Sequence, residues 1–209
     1  MNEYKFSNSW FQVAKPVWDR LLTDFRPTKI LEIGSFEGAS ACYMIEKLGA
    51  HHSIDLHCVD TWEGGIEHAA DGTFSANMGQ VEKRFHENLA VARTKVSHPF
   101  SVYVHRFRSD IVLATLLAQG KANYFDLIYV DGSHQAPDVL FDAVVGFKLL
   151  AVEGMMIFDD YTWSEDLPGG KDILRCPKPA IDAFVNLNFR KLRVLNEPTN
   201  QFYVVKTSD

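Results

Sequence analysis

The chain has 209 residues, 46% of them hydrophobic, which suits one globular domain with a sizeable core and gives no reason for a second. Its net charge of −6, with no Lys/Arg run long enough to make a basic face, argues against nucleic acid as the main partner and toward a small molecule. The opening lacks a basic start followed by an apolar core, no stretch approaches the length of a membrane-spanning helix, and Cys42, Cys58 and Cys176 form no CxxC pair, so a soluble cytoplasmic protein with free thiols is expected.

Apolar residues at helical spacing from Trp10 to Phe25 predict a covering helix, and Arg26-Pro27 stops it. Next, KILEIGSFEGAS (Lys29 to Ser40) reads as a strand around Ile30, Leu31 and Ile33, a tight turn, and a helix over Ala39 to Leu48. Glycines are needed where a backbone bends sharply or a ligand comes close, and the helix start offers free N–H groups. A ligand is therefore expected across Gly34, Ser35, Gly38 and Ser40. A second strand, Ile54 to Val59, closes in Asp60, where an acidic residue can take both hydroxyls of a ribose. Trp62 suits either an adenine face or the core.

Thr61 to Gly79 holds four glycines and no clean period, which predicts a loop. Gln80 to Thr94 reads as a helix with Val81, Phe85 and Leu89 inward. Phe100 to Phe107 reads as a strand, and Ser109-Asp110 is expected to cap a helix over Ile111 to Gln119, with Ser109 within reach of a cofactor. The fourth strand of YFDLIYVDGSH ends in Asp131 and His134. A helix from Pro137 to Leu150 should bury Val139, Leu140, Ala143, Val144, Phe147 and Leu150. Glu153-Gly154 turns into a fifth strand, Met155 to Phe158, that ends in Asp159-Asp160. A second loop (Trp163 to Lys178), a helix (Pro179 to Leu187) and an antiparallel hairpin (Leu192 to Leu195, Phe202 to Val205) complete the chain.

Alternating strands and helices imply a parallel sheet covered on both faces, with ligands bound outside the carboxyl ends of the strands. Glu32 to Gly38, Asp60, Ser109, Asp131 and Asp159-Asp160 all fall at those ends. Three carboxylates gathered there repel unless a cation sits among them, and hard oxygen ligands suit magnesium, calcium or manganese. In the alternative, Asp131 orients a cofactor or loop and Asp159-Asp160 caps the next loop. His134, with an ordinary pKa of about 6.5, suits proton removal or, more simply, capping of the following helix.

The run of Glu32, Gly34 and Gly38 resembles the cofactor loop of class I S-adenosylmethionine-dependent methyltransferases, acidic-x-Gly-x-Gly-x-Gly, with Phe36 in place of the middle glycine. Asp131 with Asp159-Asp160 is similar to the metal-dependent O-methyltransferases that include antibiotic-sugar and catechol-type enzymes. The resemblance covers Lys29 to Lys206. It implies an α/β, Rossmann-like, doubly wound, seven-stranded, mostly parallel sheet with an antiparallel last strand, as one domain with residues 1–28 as a covering helix and 29–206 as the core. It implies S-adenosylmethionine held by Glu32, Gly34, Ser35, Gly38, Ser40, Asp60, Trp62, Ser109 and Asp131, and a divalent cation, magnesium first, on Asp131, Asp159 and Asp160. Asp131 and His134 would then be catalytic in methylating a hydroxyl of a sugar or phenol. A nicotinamide-dependent oxidoreductase would need the GxGxxG spacing that Gly34 to Gly38 does not provide. A non-catalytic S-adenosylmethionine-binding module of the same fold is the alternative reading, because a cofactor pocket does not prove turnover, and the Asp131 and His134 pair favours an enzyme over it. Homo-oligomerisation is left open.

Overall fold

A computed structural model describes residues 3–68, 72, 74–165 and 167–209. Seven strands, β1 (Lys29–Ile33), β2 (Ile54–Asp60), β3 (Phe100–Arg106), β4 (Phe125–Val130), β5 (Leu150–Phe158), β6 (Leu192–Leu195) and β7 (Phe202–Lys206), form one sheet in the order β3-β2-β1-β4-β5-β7-β6. The five strands β1 to β5 run parallel, and β7 is antiparallel to both of its neighbours. The helices are α1 (Lys15–Phe25), α2 (Ala39–Gly49), α3 (Met78–Arg93), α4 (Ser109–Ala118), α5 (Ala136–Leu149) and α6 (Lys178–Asn188). This is the doubly wound architecture that the alternation of elements predicts.

Because successive strand side chains point to opposite faces, each central strand feeds two cores. Ile30, Leu127 and Met155 pack on one face with Trp18, Met44, Ile45 and Phe85 of α1 to α3. Leu31, Ile128 and Met156 pack on the other with Leu113, Ala143, Phe147 and Phe184 of α4 to α6. Burying each large side chain removes roughly 1.5–3 kcal/mol of unfavourable hydration. Trp18 also donates Nε1–H to Gln201 Oε1 at 2.8 Å, so the covering helix is tied to the approach to β7. Among the described residues, no helix is long and apolar enough to cross a membrane.

Several local expectations are corrected. The covering segment is a 3-10 turn, Trp10–Val13, followed by a separate helix, because Pro16 lacks an N–H and starts a new first turn. The N-cap of α4 is Arg108, so Ser109 and Asp110 lie inside the helix rather than capping it; Asp110 pairs with Arg108 instead. On α5, Leu140 and Val144 are exposed, and Leu150 already belongs to β5. That strand runs through Glu153-Gly154 rather than starting after it. The register slips between Phe125 and Leu127, and Glu153 takes a positive φ of 65°, as a bulge allows.

On β2 and β3, His57 Nδ1 lies 2.9 Å from His105 Nε2, with the rings 5.1 Å apart. Burial, then the neighbouring His105 and Lys121, hold His57 down at about 4. Between pH ~6.5 and ~4 the unfolded chain therefore binds a proton at His57 that the folded chain refuses, and stability is lost as pH falls. Buried Glu32 and Asp142, each pushed up to about 7 by burial, act in the opposite sense over that range. The expected result is thus differential. Thermal melts from pH 7 to pH 4 should show wild type losing stability relative to His57→Gln, and parallel curves would remove His57 from the acid response.

Candidate active site

The carboxyl ends of β1, β2, β4 and β5 and the start of α4 open on one cavity of about 1490 Å³. Gly34, Ser35, Ser40, Asp60, Ser109, Asp131, His134, Asp159 and Asp160 all line it. At its floor, Gly34 adopts φ +87°, and a Cβ there would stand 1.9 Å from the carbonyl oxygen of Asp131. Only glycine lets β1 turn this tightly against the end of β4. Gly38, at φ +79°, is the N-cap of α2 and supplies no side-chain cap, so the first N–H groups of that helix stay available beside Ala39 and Ser40 of the cavity wall.

Asp60 is wrapped by backbone. Its Oδ2 accepts from Ser35 N at 3.0 Å and Phe36 N at 2.8 Å, and its Oδ1 accepts from Trp62 N at 2.7 Å. Asp60 therefore shapes the glycine turn from the end of β2, while one face of it borders the cavity. Three residues around this edge, Phe36, Trp62 and Asp160, hold positive φ values of 46°, 50° and 55°. Each such conformation costs of order 1–3 kcal/mol and persists only where surrounding contacts impose it.

Three expected cofactor residues do not line the cavity. Glu32 lies fully buried beneath the turn, accepting from Ser35 Oγ and Ser40 Oγ at 2.5 Å each, and burial pushes its carboxyl up to about 7. Its place is under the loop, as a brace. Gly38 faces Phe85 and Cys42 rather than the cavity. Trp62 turns its ring into the core against Phe85, at 4.9 Å, and donates Nε1–H to Phe36 O at 2.9 Å. The ring is buried there and does not line the cavity. Ser109 does border the cavity, with its hydroxyl engaged by Asp142.

At the ends of β4 and β5 the carboxylates crowd together. Tyr129 Oη donates to Asp131 Oδ2 at 2.9 Å and also contacts Asp159 Oδ2, while Asp159 Oδ1 accepts from Asp160 N at 2.8 Å. Burial, then the charges of Asp159 and Asp160, hold the Asp131 carboxyl well above the usual range; burial and Asp160 raise Asp159 as well. His134 Nε2 sits 3.0 Å from Asp160 Oδ2, and its ring leans on Trp163 at 4.2 Å. Burial pulls His134 down, but the hydrogen bond and charge of Asp160, with Glu67 and Asp159, outweigh it and leave it above its ordinary value.

Two of the three expected metal-binding residues, Asp131 and Asp160, fall in one cluster with His134. Asp131, His134 and Asp160 each place a ligand atom within 4.8 Å of the others. Asp159 is not in that group, because its oxygens serve Tyr129 and the Asp160 backbone. Reading the sequence also passes over Tyr129, Trp163, Gln201 and Glu67. Tyr129 looks like one more apolar strand residue, and the others sit in connections whose partners are distant in the chain.

A family model described as a methyltransferase domain matches residues 31–161. No curated protein matches. Among solved structures, the O-methyltransferase TomG from Streptomyces achromogenes, in complex with SAM, is similar over 97% of this chain and 82% of its own, at 18% identity and a TM-score of 0.62. An O-methyltransferase from Bacillus cereus in complex with SAH is similar over 96% and 83%, at 16% identity and a TM-score of 0.60. The SAH-bound Podospora anserina methyltransferase PaMTH1 gives 97% and 80%, 19% and 0.57. At these identities the likeness is one of fold.

Proposed function

The chain belongs to the methyltransferase-domain family, and from that premise we propose that it transfers the methyl group of S-adenosylmethionine to a hydroxyl oxygen of a small molecule, a sugar or a phenol, with a divalent cation assisting. One observation carries the reading. The glycine turn and the His134–Asp160 pair open on the same cavity, so a methyl donor over one and a hydroxyl at the other would meet.

The residues fit both groups. The uncapped start of α2 beside Ser40 suits the carboxylate of an amino-acid moiety, and Asp60 borders the cavity where a ribose would lie. Asp131 and Asp160, hard oxygen donors with ligand atoms within 4.8 Å of one another, suit a divalent cation such as magnesium. When bound, that cation would lower the pKa of the acceptor hydroxyl and fix its orientation.

His134 serves as the base in this reading. Its ring borders the cavity between Asp160 and Glu67, and in this reading the imidazole takes the hydroxyl proton. As the proton leaves, the oxygen forms its bond to the methyl carbon and the bond from sulfur to that carbon breaks, in line, with no covalent enzyme intermediate. Net charge of −6 and free, buried cysteines agree with a small-molecule enzyme of the reducing cytoplasm.

A screen with methyl-labelled S-adenosylmethionine over hydroxylated small molecules tests the proposal. Label should pass to a hydroxyl, stop in excess chelator and return with magnesium, while S-adenosylhomocysteine still raises the melting temperature in chelator. Stabilisation by NADH but not by S-adenosylmethionine would overturn the cofactor assignment. Full transfer in excess chelator would strip Asp131 and Asp160 of the cation.

A further inference from the structure

Three aromatic rings, those of Trp10, Phe36 and Phe74, meet in the wall of the cavity, and the transfer step proposed above does not use them. Trp10 is 56% exposed and Phe74 45%. Large apolar side chains left in water inside a cavity mark a surface that a ligand covers. The rings come from three segments: the 3-10 turn Trp10–Val13, the glycine turn, and the connection between β2 and α3. Each segment is pinned. Phe11 is buried edge-on against Trp18 at 4.9 Å, so its neighbour Trp10 is carried on an anchored turn. Phe36 N donates to Asp60 Oδ2 at 2.8 Å, and Phe36 O accepts from Trp62 Nε1 at 2.9 Å. Phe74 N donates to Glu67 O at 2.8 Å.

Together the rings form a corner. Trp10 and Phe36 lie 5.7 Å apart, tilted by 37°, whereas Trp10 and Phe74 lie 5.8 Å apart and nearly perpendicular, at 76°. His68 stacks behind Phe36 at 5.5 Å. That histidine also joins the corner to the acidic end of the cavity, since its Nδ1 lies 3.6 Å from Glu67 Oε1, which in turn lies 3.3 Å from His134 Nδ1. Ring faces are electron-rich and ring edges electron-poor, so a flat aromatic guest gains by meeting one wall face-on and the other edge-on. A sugar gains little there. Its hydroxyls would lie against carbon, because the three side chains supply one polar group between them, the indole N–H of Trp10. The cavity of about 1490 Å³ exceeds the ~300–1,000 Å³ of an ordinary single-ligand pocket, which leaves room for a ring beside the cofactor.

We propose that Trp10, Phe36 and Phe74 are the acceptor-selecting wall of the site, and that the acceptor presents an aromatic ring to it, so that the hydroxyl methylated is a phenol's and not a sugar's. This rests on the reading of the protein as a methyltransferase acting on a hydroxyl, and it gives that reading its substrate class. Phe36 stands where the cofactor loop resembled here has its middle glycine, so the turn that seats the methyl donor also selects what receives the methyl group.

Binding measurements test the wall without turnover. By calorimetry, 2-naphthol and methyl glucoside are titrated into the full chain in chelator, so that no cation supplies affinity, with and without S-adenosylhomocysteine. The naphthol should bind at least about tenfold more tightly than the glucoside. Trp10→Ala and Phe74→Ala should each weaken naphthol binding by about three- to tenfold, and Trp10→Phe should stay within about twofold of wild type. The rise in melting temperature with S-adenosylhomocysteine should be the same in all four proteins. Equal affinity for the two probes, or unchanged naphthol binding in Trp10→Ala, would overturn the proposal. So would loss of the S-adenosylhomocysteine rise in Trp10→Ala, because the wall would then belong to the cofactor. The methyltransferase reading fails on a different result, the absence of that rise in wild type, so either idea can fail without the other.

Discussion

Replacing His134 by alanine is expected to lower methyl-transfer turnover by about 10²–10⁴-fold, the range general acid–base catalysis supplies. The argument is positional. The ring sits among Asp160, Glu67 and Trp163, with one nitrogen bonded to Asp160 and the other without a hydrogen bond. Alanine removes both nitrogens and leaves the glycine turn, Asp60 and Ser40 untouched, so S-adenosylhomocysteine should bind with near-native affinity. The loss should be smaller for an acidic phenol than for a sugar hydroxyl, because the phenol needs less help to lose its proton. Turnover and binding measured on the same preparation decide the matter. Near-native turnover on a sugar acceptor would reduce His134 to a structural contact of Asp160.

Gly34→Ala is expected to be the most damaging single methyl in the protein. The added carbon would stand 1.9 Å from Asp131 O, 2.4 Å from Asp131 C and 2.7 Å from Gly132 Cα, all backbone atoms that cannot rotate away. Strain in the left-handed region costs about 1–2 kcal/mol, and forcing atoms into a packed site about 1–3 kcal/mol more. Together these should lower the melting temperature by roughly 4–20 °C. Gly120→Ala is the control, since its φ of +81° is close to the +87° of Gly34 but an added Cβ meets nothing within 4 Å. If the two variants melt alike, the end of β4 yields and the tight turn is not what fixes the floor of the cavity.

What the sequence disclosed, and what it concealed, divides along a physical line. Strand ends, the glycine turn and the paired aspartates were legible because each is a local pattern, and the alternation of elements then brings the strand ends to one edge. The direction of a side chain at that edge is not local. Trp62 stands two residues past Asp60, yet its ring packs into the core against Phe85. Asp159 and Asp160 are adjacent, but Tyr129 and the backbone claim the first and His134 meets the second. Leu140 and Val144 fit the apolar period of α5 and are nevertheless exposed, since that helix buries only Val139, Ala143 and Phe147 of the set. Glu67 has no sequence signal, its partner being a histidine on a different strand connection.

The reversed direction of β7 has a consequence for how this protein can change over generations. Every parallel strand brings its end to the cavity, but β7 brings its beginning, so Pro198, Thr199, Asn200 and Gln201 of the hairpin bend form part of the wall. Tyr161 N donates to Asn200 O at 3.1 Å, which docks this bend beside Asp159 and Asp160. Hairpin bends accept insertions at small entropic cost, each doubling of loop length adding only about 0.6 kcal/mol. The glycine turn cannot accept even a methyl. One side of the cavity is therefore fixed by backbone contact, while the bend over residues 198–200 lets the opposite wall be reshaped.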